Sequence, residues 1–415
     1  MKQMRRVVVT GLGVISPVGN TVKEFWSNLV GGKCGIDFIT RFDTTDYKVK
    51  IAAEVKGFDP HDYMEKGEIR KTDLFAQYAI AAAAQAMEDS GISGTVDPER
   101  LGVYVGSGIG GMNTFITECE KLVVSGPKKI SPFFVPMMIS NMASGNISIK
   151  FNAQGPCLPV VTACATSTNA IGEAFRAIKH GYADAIIAGG AEATINPLSI
   201  AGFTSCMALS TKNIPEESSL PFDKRRDGFV MGEGAGMLIL EEYERAKARN
   251  ATIYAEINGY GNTCDAYHIT APNPEAVGGA RAISLAVEEA NAKDEEKIYI
   301  NAHGTGTPLN DKSETAAIKL ALGETAYKAA ISSTKSMTGH MLGAAGAIEA
   351  IASVLALHDG VIPPTVGYRE KDENCDLDYV PNTARKQQMN LALSISLGFG
   401  GHNACIALSK YSEES

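Results

Sequence analysis

Residues 228–240 read GFVMGEGAGMLIL, and residues 398–408 read GFGGHNACIAL. In each, a Gly-Phe turn closes into an apolar strand. The same device at two distant places implies two halves of like topology, each ending on it. Strands and helices alternate around both, the pattern of an α/β fold. In the first half, Val7 to Thr10 reads as a buried strand, with Gly11 and Gly13 as a turn. Thr21 to Glu24 is a capping box opening a helix that stops at Gly31 and Gly32. Thr72 to Ser90 is Ala-rich and helical. Strands are expected at Leu101–Val105, Leu158–Thr162 and Ala185–Ala188, and Ile171, Phe175 and Ile178 fall at helical spacing. In the second half, Ile257 lies in a strand and Ala280–Asn291 in a helix. Ile298–Asn301 and Ala329–Ser332 read as strands, Leu342–Leu357 as an apolar helix and Asn403–Leu408 as the last strand. No Pro- or Ser-rich linker intervenes, so residues 1–250 and 251–415 are expected to share one rigid body.

The 415 residues are 45% hydrophobic and 20% charged, which excludes a largely disordered chain. A formal net charge of -9 argues against a nucleic-acid binder with a globally basic field. An acidic partner would have to meet a local basic patch, and two candidates exist: Lys66, Arg70 and Lys71, and Lys128 with Lys129. No run of 18 apolar residues predicts a membrane span. The N-terminal MKQMRRVVVTGLG is too short in its apolar part for a signal peptide. The eight cysteines are scattered without a CxxC pair, against a zinc site or a disulfide framework and in keeping with a reducing cytoplasm.

Gly106 to Gly111 (GSGIGG) matches GxGxxG, but no acidic residue follows at the spacing a dinucleotide site needs, so these glycines read as turn residues. Cys164, in VVTACATS, is more informative. A buried strand would deliver it to the first turn of a helix, where free N–H groups and the helix dipole stabilise a thiolate. The alternative is a small buried hydrophobe, the usual fate of cysteine. Of seven histidines, His303 (NAHGTGT) and His340 (KSMTGH) lie in glycine-flanked loops at strand ends, where α/β sites form. His180 and His358 sit in C-terminal turns of helices, where capping explains them. Cys164, His303 and His340 together make a Cys-His-His set.

At these residues the chain resembles the condensing enzymes of type II fatty-acid synthesis, the beta-ketoacyl-[acyl-carrier-protein] synthase family, closest to its synthase II branch. VVVTGLGVISPVGN, TACATSTNAIGEAF, PFDKRRDGFVMGEGAG, DAYHITAP, NAHGTGTPLND, TKSMTGHMLGAAGAIEA and SLGFGGHNA resemble family signatures in family order. The resemblance implies a thiolase-like fold, duplicated halves in five α-β-α-β-α layers, and a homodimer without a cofactor. It implies an acyl carrier protein as partner, presenting acyl and malonyl groups on phosphopantetheine. Cys164 would be the acyl-accepting nucleophile, and His303 and His340 would activate the malonyl thioester. Lys335 would buttress His340 through Glu349. The N–H groups of Cys164 and Phe399 would form the oxyanion hole. Thr270, Thr305 and Thr307 would contact pantetheine, and Ile109, Phe134 and Phe203 would line the acyl tunnel with Phe399 as its gate. Asn301, Glu349 and Ser394 match positions that hold a structural monovalent cation in some members; none is required for the chemistry.

The chain departs from the family pattern in places. The familiar Asn before the last glycine loop is Ile395, Met207 stands where many relatives carry an Arg facing the carrier, and Ser167 replaces a frequent glycine. Rival readings are a polyketide ketosynthase with the same triad, a synthase I-like chain-length preference, a non-catalytic chain-length subunit, against which Cys164 argues, and a Cys-His hydrolase.

Overall fold

The computed structural model describes residues 4–412 except 294 and 296. Nine strands form its main sheet: β1 (Val7–Ile15), β2 (Leu101–Gly106), β3 (Ala185–Glu192), β4 (Gly234–Glu242), β5 (Ala255–Cys264), β6 (Ile298–Asn301), β7 (Ala330–Ser332), β8 (Leu391–Gly398) and β9 (His402–Lys410). Their order is β2-β3-β4-β1-β5-β9-β8-β6-β7. β2–β3, β8–β6 and β6–β7 pair in parallel, and the other neighbours antiparallel. Going outward from the β1–β5 junction, β1-β4-β3-β2 repeats as β5-β9-β8-β6 with the same directions.

The principal helices are α1 (Val22–Val30), α2 (Leu74–Ser90), α3 (Met142–Phe151), α4 (Thr166–Lys179), α5 (Val277–Glu289), α6 (Pro308–Leu322) and α7 (Ala345–Asp359). α2 packs on β1, β3 and β4, and α3 on β2; α5 packs on β5 and β9, with α6 against α5. α4 and α7 each touch strands of both halves. The result is the thiolase-like arrangement of five layers, with α4 and α7 in the middle. A helix enclosed on all sides must be apolar all round, and α7 is buried from Ala345 to Leu357. Leu342–Asp359 has the length and mean hydropathy (1.3) of a membrane span, yet 89% of it is buried inside the protein. It is a core helix. Ser167 ties the two central helices together, its hydroxyl accepting the Ala347 N–H at 2.9 Å.

Two expectations need correction. Gly11 and Gly13 are not a turn but lie inside β1. A Cβ on them would fall 2.3 Å from the Ala86 carbonyl and 1.9 Å from that of Ala82, so their bare backbone lets α2 press onto the strand. Gly259 and Gly261 do the same for β5, with Cβ positions 2.0 and 1.8 Å from the carbonyls of Ala286 and Ala282 on α5. Leu158–Thr162 forms no regular strand. Its start pairs with β2 through one bridge, Cys157 to Val103, and the Leu158 N–H reaches the Val103 carbonyl at 3.0 Å. Beyond that point it runs extended along the outer edge of the sheet without a ladder partner, leaving Leu158 44% and Val161 53% exposed. In topology it is the counterpart of β7: both follow the strand parallel to them, and each leads into a central helix.

Candidate active site

The segment after Val161 enters a tight turn, Ala163–Ala165, and then α4. Ala163 takes a left-handed conformation (φ 50°), which swings Cys164 out of the line of the chain. The Thr166 hydroxyl accepts the Thr162 N–H at 2.9 Å and fixes the turn. The end of β8 presses on it: a Cβ on Gly398 would lie 3.3 Å from the Cys164 nitrogen. The next N–H, that of Phe399, donates to the Cys164 sulphur. Two main-chain donors, Cys164 and Phe399, thus flank the sulphur. The expected resting thiolate is not found. Burial pushes the Cys164 thiol up to about 12, and the opposing pull of Lys335 and of the Phe399 N–H is too weak to reverse it. Desolvation outweighs the helix end although Cys164 itself is only half-buried and lines the cavity.

β6 ends at Asn301 and delivers His303. Glu314 on α6 accepts the His303 N–H at 2.6 Å and the Gly304 N–H at 2.7 Å, which holds the loop. Burial raises the Glu314 carboxyl to about 8. His340 follows the short helix Lys335–Thr338 and packs edge-on against Phe229, ring centroids 5.0 Å apart. The two imidazoles meet at right angles, 5.2 Å between centroids. Each is about 2% exposed, and burial, then the charge of Lys335, holds each well below the usual imidazole range. Both are therefore neutral near pH 7.

Lys335 does not buttress His340. Its ammonium ion-pairs with Glu349 and lies 3.4 Å from His303 Nδ1. An ammonium can only donate, so Nδ1 accepts and the His303 proton sits on Nε2. Burial pushes Glu349 up to about 7 against the pull of Lys335.

One cavity of about 390 Å³ gathers Cys164, His303, His340 and Phe399 with Phe203, Thr270, Thr305 and Thr307. Thr305 and Thr307 hydroxyls lie 3.0 Å apart. Ile109, Cys164 and Phe203 each pack against one adjoining apolar cluster that includes Phe229 and Leu342. Phe134 sits half-buried on the helix Phe134–Met138, outside the cavity of its own chain. Met207, 89% exposed in a left-handed conformation, stands at the rim. Lys66, Arg70, Lys71, Lys128 and Lys129 are exposed, and Lys71 lies 5.4 Å over the Phe133 ring, close in sequence to the second basic cluster.

Asn301 and Ser394 are register partners across β6 and β8. Asn301 Oδ1, Ser394 Oγ and Glu349 Oε2 are all buried without a hydrogen-bond partner. Two neutral oxygens and a carboxylate oxygen whose twin already pairs with Lys335 suit a monovalent cation. Ile395 packs in the outer apolar core and offers at most its carbonyl. Sequence reasoning missed Glu314, whose signal was a carboxylate three residues after Asp311, on the buried face of α6. It also missed Glu192, buried at the end of β3.

This architecture, with a Cys and two neutral His at the seam of duplicated halves, defines a condensing enzyme of the thiolase-like class. The family description "Beta-ketoacyl synthase, N-terminal domain" fits residues 4–246, and "Beta-ketoacyl synthase, C-terminal domain" fits residues 254–369. The chain belongs to the beta-ketoacyl synthase family. It is 52% identical over 410 residues to "3-oxoacyl-[acyl-carrier-protein] synthase 2" of Coxiella burnetii (98% of this chain, 99% of that one). Identity to the protein of the same name in Staphylococcus aureus (strain COL) is 52% over 414 residues, covering 99% and 100%. Among solved structures, a beta-ketoacyl synthase from Burkholderia phymatum STM815 superposes with a TM-score of 0.92 at 34% identity, covering 99% of this chain and 100% of that one. A type II polyketide ketosynthase in complex with its acyl-carrier protein gives 0.90 at 35%, covering 99% and 100%.

The tautomer and charge assignments are open to measurement. Histidine ring 15N shifts at pH 6 should show both His303 and His340 neutral, His303 protonated on Nε2. Lys335→Met should raise the His303 pKa, since it removes a positive neighbour that opposes protonation. A wild-type His303 that titrates at the ordinary imidazole value would contradict the electrostatics described.

Proposed function

We propose that this protein elongates acyl chains by decarboxylative Claisen condensation of an acyl group with malonyl, both carried as thioesters on an acyl carrier protein. The observation that carries the reading is the convergence of Cys164, two neutral imidazoles and the Phe399 N–H on one cavity. Cys164 attacks the acyl thioester; the S–C bond to the carrier breaks, and the thiol proton ends on the departing pantetheine sulphur. Malonyl-carrier then binds, and its C–C bond breaks to give CO2 and a thioester enolate. Neutral His303, held with Nε2–H free to donate, and His340 stabilise the enolate oxygen without full proton transfer. The enolate carbon attacks the acyl-Cys carbonyl, and the N–H groups of Cys164 and Phe399 hold the oxyanion. Each such donor is worth about 3–4 kcal/mol in comparable systems. Collapse breaks the S–C bond, leaves a 3-oxoacyl-carrier and expels the Cys164 thiolate, which takes a proton from solvent to restore the resting thiol. Phe399, flanked by glycines, gates acyl entry. Thr270, Thr305 and Thr307 contact the pantetheine arm.

Fatty-acid rather than polyketide elongation is favoured by 52% identity to the curated synthases, against 35% to the polyketide ketosynthase. The chain-length branch follows the same relatives. The setting is cytoplasmic, in keeping with free cysteines throughout. Asn301, Glu349 and Ser394 would hold a monovalent cation that stiffens the Glu349 carboxylate; the reaction needs no other metal and no cofactor. The division into halves at residue 250 rests on the strand-by-strand correspondence described above.

The chain acts as a homodimer. Large exposed apolar residues are concentrated between residues 115 and 161, among them Val123 (86%), Val124 (84%), Val135 (55%) and Val161 (53%). The unpaired edge at residues 158–162 offers a second copy a strand to pair with. Phe134, outside its own cavity, would then face the partner's acyl tunnel. Wild type should sediment at twice its 43.9 kDa, and Val161→Glu should shift it toward one copy. A monomeric wild type would remove this assembly.

Carrier docking falls to Lys66, Arg70, Lys71, Lys128 and Lys129, since a chain of net charge -9 must attract an acidic carrier locally. Reversing Arg70 and Lys71 to Glu should raise the KM for acyl-carrier about tenfold, less at high salt. A change confined to kcat would place docking elsewhere.

The function itself is tested by separating its half-reactions. Cys164→Ala should abolish condensation yet still release CO2 from malonyl-carrier. His303→Ala and His340→Ala should lose decarboxylation while at least one still takes up acyl on Cys164. If both fail to acylate, a Cys-His pair activates the thiol, and the division of labour is wrong.

A further inference from the structure

Glu192, the last residue of β3, is wholly buried and takes no step in the condensation. Its Oε1 accepts the Ser107 hydroxyl at 2.8 Å and the Ile109 N–H at 3.3 Å. Its Oε2 accepts the Gly108 N–H at 2.8 Å and the Gly343 N–H at 2.9 Å. The Ser107 oxygen in turn accepts the Gly110 N–H at 2.9 Å. Burial pushes the Glu192 carboxyl up, and the Ser107 hydroxyl and the main-chain donors oppose that only in part. A buried carboxylate is costly unless its lone pairs are filled, and four aligned donors fill them. Room for it is made by glycine: a Cβ on Gly108 or on Gly343 would lie 2.7 Å from Oε2.

The duplication shows what this cradle is. Gly343 sits in the turn Leu342–Ala344 ahead of α7, as Cys164 sits in Ala163–Ala165 ahead of α4. Each turn opens on a left-handed residue, Ala163 at φ 50° and Leu342 at φ 45°. Glu192 closes β3 as Gly398 closes β8. In the first half the turn faces the reaction cavity. In the second half the same kind of turn donates its N–H to a resident carboxylate. That carboxylate ties together three segments. One carries Ile109, which packs against the same apolar cluster as Cys164 and Phe203, and another carries Leu342, which belongs to that cluster and lines the cavity.

We propose that Glu192 is a positioning residue for acyl-chain selectivity: by clamping residues 107–109 to the Leu342–Ala344 turn, it fixes Ile109 and Leu342 against the acyl group on Cys164. The proposal rests on the acyl-Cys reading above. Glu192→Gln would turn an NH2 group toward donors that can no longer be accepted, and part of the clamp would open.

The test is loading of Cys164 by acyl thioesters of graded length, followed by intact mass, which needs no condensation. In wild type, loading should vary with chain length. In Glu192→Gln the ratio between the best and worst lengths should collapse about tenfold, the scale of a misplaced methylene in an apolar pocket. Ser107→Ala, which removes one donor only, should move the ratio the same way by less, and it serves if the Gln variant does not fold. A folded variant that loads every length as wild type does, or slows all lengths by one common factor, overturns the proposal. A wild type that loads no acyl group of any length overturns the acyl-Cys reading and this proposal with it.

Discussion

Lys335 and Glu349 form an ion pair about 1–2% exposed, deep between the two halves. Such a pair is weak evidence for stability, because desolvation offsets most of the Coulombic gain, but loss of one partner would strand the other at about 3–5 kcal/mol. Its presence sets the chemistry around it. The ammonium keeps His303 from taking a proton and gives it a single tautomer. It also pulls on the Cys164 thiol and on His340. The second oxygen of Glu349, like the oxygens of Asn301 and Ser394, is buried without a hydrogen-bond partner. One charge placed without water thus acts on Cys164, His303 and His340 alike.

The ion pair is dry because of the central layer. α4 and α7 are enclosed by strands of both halves, so the turns that start them are enclosed too. Close packing supplies the enclosure: the glycine pairs of β1 and β5 let α2 and α5 seat on the outer faces, and Ser167 holds α7 to α4 within. Duplication then gives the fold two equivalent turns, one used for a nucleophile and the other filled by Glu192.

Much of this was legible in the chain. The two Gly-Phe segments do lead into corresponding strands, β4 and β9, but only residues 398–401 make a turn, whereas Phe229 runs extended and bridges Leu209. The glycine-flanked loops expected to hold Cys164, His303 and His340 do converge on one cavity. What escaped had physical causes. Gly11 and Gly13 read as a turn because sequence does not reveal that a helix carbonyl will sit about where a Cβ would go. Leu158–Thr162 has the composition of a strand, but a strand needs a neighbour, and its outer one is absent within a single chain. Lys335 was assigned to His340, its neighbour in sequence, whereas the fold turns it to His303, 32 residues away.

The charge state of Cys164 is the most instructive miss. A helix N-terminus lowers a thiol pKa when it is solvated enough for the dipole to compete, and here burial outweighs it. A resting thiol has a chemical use. It resists oxidation and stray alkylation, which act on thiolates. On the proposed mechanism it gives up its proton when an acyl thioester fills the cavity, brings the carbonyl to the Cys164 and Phe399 N–H groups, and offers a leaving sulphur to receive that proton. Neutral histidines fit the same logic, since an imidazolium beside the site would hold a permanent thiolate, and Lys335 opposes its formation. Burial therefore does more than exclude water: it keeps every reactive group uncharged until a substrate arrives to complete the circuit.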